Sequence, residues 1–99
     1  MEISSVDLQE KINNGEKIIL KLSASWCGPC RMLTPIFEKV ASENTSDVQM
    51  YSLDVDLNRE IAMALGVRSV PTIKIFKNGA ESYSKTGVMS SAEVLSLLN

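Results

Sequence analysis

Two cysteines, Cys27 and Cys30, stand with two residues between them where an apolar run gives way to a helical pattern. This narrows what the chain can become more than any other feature. They are the only cysteines, and the adjacent Trp26 is the only tryptophan. The run Ile18-Ile19-Leu20 leads toward Ser25-Trp26-Cys27-Gly28-Pro29-Cys30-Arg31, and apolar residues at helical spacing follow at once. Two thiols so spaced at a strand-to-helix junction can close a small disulfide ring and open it again. The junction matters chemically, because a helix start offers unpaired N–H groups and the positive end of the helix dipole to an anion. The thiolate is the nucleophile in disulfide exchange. A bare pair of this spacing is equally open to two buried apolar cysteines or to part of a metal site.

Ninety-nine residues, 1–99, make one domain with a single core. Net charge is −2 and no basic run occurs, which argues against a nucleic-acid or anionic-membrane partner. No apolar stretch nears the roughly 20 residues that span a bilayer. Met1-Glu2-Ile3-Ser4-Ser5 has neither the charge nor the apolar run of a signal peptide, so a reducing, cytoplasmic setting is expected. In such a setting a lone cysteine pair is more often catalytic or metal-binding than a permanent staple. There are no histidines, so a zinc ion would have only two sulfur ligands from this chain and would need carboxylates or a second chain. No metal is expected.

In chain order, Ile3 is a candidate for a short edge strand, and Ser4 or Ser5 caps a helix carrying Leu8 and Ile12, ended by Asn14-Gly15. Lys17 to Ser23 reads as a central strand, with Ile18, Leu20 and Leu22 on one face and Ile19, Lys21 and Ser23 on the other. The helix after the cysteines presents Leu33, Ile36, Phe37, Val40 and Ala41 to a sheet, and Pro35 should kink it. Val48 to Val55 is the next strand, followed by a short helix around Ile61, Ala62 and Leu65 that stops at Gly66. Ile73 to Lys77 and Ala80 to Thr86 form a hairpin about Asn78-Gly79, and Ser90 with Glu93 opens a last helix bearing Val94, Leu97 and Leu98. The order (β)αβαβαββα implies an α/β fold with a mixed sheet and helices on both faces.

With its flanks, Trp26-Cys27-Gly28-Pro29-Cys30 resembles the active site of the thioredoxin family. Val70-Pro71-Thr72, the Phe76-Lys77-Asn78-Gly79 turn and Gly87 match that family's pattern downstream, so the likeness covers nearly the whole chain. It implies the thioredoxin fold and a protein-disulfide reductase: Cys27 attacks a substrate disulfide, and Cys30 resolves the mixed disulfide. It also implies that Pro71 is cis and faces the sulfurs, exposing the backbone of Val70 to a substrate strand. Sequence alone favours trans, since only about 5–6% of X–Pro bonds in folded proteins are cis. Trp26, Gly28, Pro29, Val70, Pro71 and Gly87 are thus the candidate substrate-binding residues. Expected partners are protein disulfides and a thioredoxin-reductase-like or low-molecular-weight electron donor. The protein is expected to be a monomer with no bound cofactor, serving electron transport and cell redox homeostasis.

One departure falls in the central strand. The family usually places an aspartate six residues before the first cysteine, where this chain has Lys21. The lysine that accompanies that aspartate is replaced by Ser52, and an aromatic residue near the site by Ser23. A buried ammonium must find a carboxylate, reach water or lose its proton. Asp54 is the conceivable partner. Lys21 is therefore a third catalytic candidate, steadying a thiolate when charged or acting as a base when neutral; a side chain that snorkels to the surface and does nothing chemical is the other reading. Alternatives to a reductase are an oxidase or isomerase on the same scaffold, a metal or iron–sulfur module between two subunits, and a partner-binding subunit with dispensable thiols.

Overall fold

The computed structural model describes residues 1–99. Its strands are β1 (Ile18–Ser23), β2 (Gln49–Asp54), β3 (Thr72–Lys77) and β4 (Ala80–Thr86). Between and around them lie α1 (Ser5–Asn13), α2 (Gly28–Glu43), α3 (Arg59–Ala64) and α4 (Ser91–Ser96). One four-stranded sheet has the order β2-β1-β3-β4. β1 and β2 are parallel, joined by the α2 crossover, whereas β1–β3 and β3–β4 are antiparallel. The sheet is mixed, as the element order implied.

β1 reads as a nearly unbroken apolar run because it is covered on both faces. Ile18, Leu20 and Leu22 pack with Leu8 and Ile12 of α1, Leu53 and Phe76, and with Ile61 and Leu65 from the α3 region. Ile19 faces the other way, into Leu33, Phe37 and Val40 of α2, Met50, Ile73, Met89 and Val94 of α4. Lys21 and Ser23 continue that second face toward the cysteines.

Local signals set most element boundaries. Ser4 Oγ accepts from the Asp7 N–H at 3.1 Å and caps α1. Ser90 and Glu93 form the reciprocal capping box of α4, at 3.1 and 3.2 Å. Asn78 and Gly79, at φ 56° and 82°, make the tight turn that returns β3 into β4. α2 runs unbroken through Pro35 for 16 residues. The expected edge strand at Ile3 is only a bridge from Glu2 to Ser52, although Ile3 N–H and Met1 C=O both bond the Ser52 backbone. Capping by Ser4 ends the extended backbone there. β4 forms the other edge, and Lys74 reaches across from β3 to Glu81 at 2.6 Å.

Candidate active site

The parallel register pairs Ser23 of β1 with Asp54 of β2, so the segments leaving both strands emerge at one edge of the sheet. Cys27 ends the segment after β1 and is the N-cap of α2 in extended conformation, its sulfur accepting from the Cys30 N–H at 3.2 Å. Pro29 sits in the first turn, where no backbone donor is needed. One turn on, Cys30 bonds Cys27 as a disulfide, with Cα atoms 5.2 Å apart. Both cysteines are buried, Cys27 at 4% and Cys30 at 2% exposure. Direction separates them more clearly: Cys27 Sγ lies 3.6 Å from the Val70 carbonyl, whereas Cys30 lines a cavity beneath the site.

The Val70–Pro71 peptide is cis. Gly87, at φ 108°, donates its N–H to the Pro71 carbonyl at 2.9 Å, a backbone conformation that favours glycine. A Cβ at Gly28 or Gly87 would meet no atom of this chain within 4 Å, so the space above both is open. Trp26 is 67% exposed at the rim. Its indole N–H donates to Asp56 Oδ2 at 2.6 Å, a pairing the sequence reading missed. With Val55, Ala62, Val67, Arg68, Ser69 and Val70, Trp26 lines a shallow, largely apolar groove of about 380 Å³.

Lys21 neither snorkels nor pairs with Asp54. It is 2% exposed, and its Nζ donates to Thr34 Oγ1 of α2 at 2.7 Å. The Asp54 carboxylate instead accepts from the backbone N–H groups of Asp56 and Leu57, at 2.8 and 3.2 Å. Burial pushes Lys21 below the ordinary lysine value, against the opposing pull of Glu38 and Glu2. A base with a depressed folded value binds fewer protons in the native than in the unfolded state, between that value and 10.5. The cost of Lys21 is thus fully present below that interval and is relieved as pH rises through it. Lys21→Met keeps the chain length and drops the charge, and should raise stability near neutral pH by about 1–3 kcal/mol. The gain should shrink toward alkaline pH. Urea melts near pH 7 and near pH 9.5 test this, and a variant less stable at the lower pH would refute it.

No group of three or more cysteine, aspartate or glutamate side chains stands together in a way that could hold a metal ion.

A buried disulfide on the first turn of a helix, faced by a cis-proline loop at the edge of a mixed sheet, defines a dithiol–disulfide site on an α/β scaffold. The family model described as Thioredoxin matches residues 1–99. A thioredoxin from Mycoplasma genitalium is 38% identical over 99 residues, covering 99% of this chain and 96% of that protein. One from Rickettsia bellii is 34% identical over 91 residues, covering 92% and 87%. The solved structure of a mutant thioredoxin from Halobacterium salinarum superposes with TM-score 0.83 at 30% identity, covering 98% of this chain and 84% of that one. The chain belongs to the thioredoxin family. Its activity is thiol–disulfide oxidoreduction through the Cys-x-x-Cys pair, and the family's substrates are protein disulfides.

Proposed function

We propose that Cys27 is the attacking sulfur and Cys30 the resolving one, in a reductase that takes electrons from a flavoprotein of the thioredoxin-reductase kind. Cys27 caps α2, so the thiolate left by reduction accepts from the Cys30 N–H and lies at the positive end of a 16-residue helix. That placement carries the reading. The thiolate attacks one sulfur of the substrate disulfide, forming the Cys27–substrate S–S bond and releasing the other substrate sulfur, which takes a proton. Cys30 then attacks Cys27 Sγ, the Cys27–substrate bond breaks, and the substrate leaves as a dithiol while this chain holds the disulfide.

Substrate binding in this reading uses the exposed face of Trp26, the open space over Gly28 and Pro29, the backbone of Val70 beside Pro71, and the gap at Gly87. An extended substrate segment lying along Val70 adds main-chain hydrogen bonds in the manner of a short extra strand. Residues 1–99 act as one domain and as a monomer in the cytoplasm, serving electron transport and redox homeostasis. No helix is long and apolar enough to cross a membrane.

Alkylation of the reduced protein tests the assignment. With substoichiometric iodoacetamide at neutral pH, the label should fall on Cys27, at a rate roughly tenfold or more above that of a free cysteine whose thiol titrates near pH 8.5. Peptide mass mapping reads the site. Equal labelling of both sulfurs at the free-cysteine rate would defeat the assignment.

A further inference from the structure

The cavity beneath the disulfide, about 410 Å³, is lined by Cys30 but not by Cys27, and Lys21 shares its wall. Lys21 Nζ has one hydrogen-bond acceptor, Thr34 Oγ1, and no carboxylate within ion-pair distance. Thr34 in turn donates its hydroxyl proton to the Cys30 carbonyl at 2.9 Å, so the chain of hydrogen bonds from the amine ends on the residue that carries the second sulfur. The Phe37 ring, its centroid 5.7 Å from Nζ, closes another side. The strand neighbours of Lys21 are the hydroxyl-bearing Ser52 and the apolar Ile73.

Other charged groups line the cavity from each element around it: Glu2 from the N-terminal segment, Asp54 from the end of β2, and Arg31 and Glu38 from α2. Asp54 is held by two backbone donors, and Arg31 donates to the Ser25 carbonyl at 3.2 Å. Glu2 and Glu38 pull Lys21 toward its charged form, while burial works against them and prevails.

We propose that Lys21 is a positioning residue that holds a positive charge against Cys30, stabilises its thiolate, and shifts the Cys27–Cys30 couple toward the dithiol. The proposal rests on the exchange reading given above, because only a pair that cycles has a thiolate to stabilise. Oxidation leaves the buried ammonium facing a neutral disulfide; reduction gives it an anion. Two glutathione thiols supply the electron pair. The Cys27–Cys30 bond breaks, the glutathione S–S bond forms, one thiol proton stays with the sulfur pair, which then carries one anionic charge, and the other goes to solvent where Lys21 is already charged. Where Lys21 is neutral, one of those protons rests on Nζ, paired with the Cys30 thiolate. A group that binds the reduced form better than the oxidised one raises the reduction potential. This chain is therefore a milder reductant than it would be with an uncharged residue at position 21.

The test equilibrates the full chain with glutathione of defined composition, traps free thiols by alkylation, and counts them by mass. Lys21→Met should move the equilibrium about tenfold toward the disulfide, equivalent to about 30 mV for a two-electron couple. The difference from wild type should narrow as pH rises and Lys21 loses its charge. Thr34→Val, which frees the amine from the Cys30 helix, should give a smaller shift in the same direction, about threefold, and carries the test alone if Lys21→Met does not fold. Lys21→Arg, which keeps the charge, should stay nearer wild type than Lys21→Met does. A Lys21→Met equilibrium within twofold of wild type, or displaced toward the dithiol, would overturn the proposal. If that happens while wild type still reduces a protein disulfide, the exchange reading stands and only the role of Lys21 falls. A wild type that reduces none removes both.

Discussion

Replacing Cys27 with serine should end protein-disulfide reduction, with a loss on the order of 10³-fold or more, while Cys30→Ser should perform half of the reaction and stop. A serine hydroxyl does not ionise at neutral pH and cannot form an S–S bond, so Cys27→Ser has no attacking anion at the helix start. Cys30→Ser keeps the N-cap sulfur and the main-chain N–H that it accepts from, because that donor belongs to the backbone of residue 30 and survives the substitution. Its Cys27 therefore still attacks, and the product has no internal sulfur to release it. Incubated with a model protein disulfide, Cys30→Ser should accumulate a one-to-one covalent adduct visible by mass and dissolved by dithiothreitol. Cys27→Ser should form none. Continued multiple turnover by Cys27→Ser, or an adduct carried by Cys30 rather than Cys27, would reverse the assignment of the two sulfurs.

Much of this arrangement was legible before any coordinates. The run Ile18-Ile19-Leu20 announced a strand covered on both faces, and the alternation along it placed Lys21 on the face of Ile19, which α2 covers in the structure. Asn78-Gly79 and the Ser90–Glu93 pair acted within a few residues of themselves, so they could be read locally. The errors came from interactions whose geometry is set at longer range. Asp54 shares a strand face with Ser52 and looked available to Lys21, but the chain turns immediately after β2 and its backbone N–H groups occupy that carboxylate. Thr34 answers Lys21 because of how α2 is rotated on the sheet, a quantity that no spacing within α2 reports. The Trp26–Asp56 bond was recoverable in principle. Once Ser23 is set opposite Asp54 in a parallel pair, the residues three and two positions further on must meet above the same sheet edge. Strand ends moved by a residue, with Lys17, Val48 and Val55 just outside β1 and β2, within the ordinary uncertainty of where a ladder begins.

Phe37→Ala should cost about 3–5 kcal/mol, the usual penalty for emptying an aromatic site in a packed core. The Phe37 side chain is fully buried among Ile19, Leu33, Val40, Met50, Ile73, Met89 and Val94, and joins α2 to the sheet and to α4. Its neighbours come from several elements of fixed backbone, so the hole cannot close by a single side-chain rotation, which places the cost toward the upper part of that range. Domains of this size have about 5–15 kcal/mol of stability in all, and each kcal/mol moves Tm by roughly 4–8 °C. Thermal or urea unfolding should therefore show a large fall, whereas Leu95→Ala, at an exposed position on α4, should stay within about 0.5 kcal/mol of wild type. A Phe37→Ala loss under about 1 kcal/mol would mean that α2 is not seated on the sheet through this ring. Below its melting range the variant should still attack disulfides through Cys27, because that sulfur is held by the first turn of α2 itself. Its reduction potential should move instead, since the ring that is removed is also the wall against which Lys21 is set.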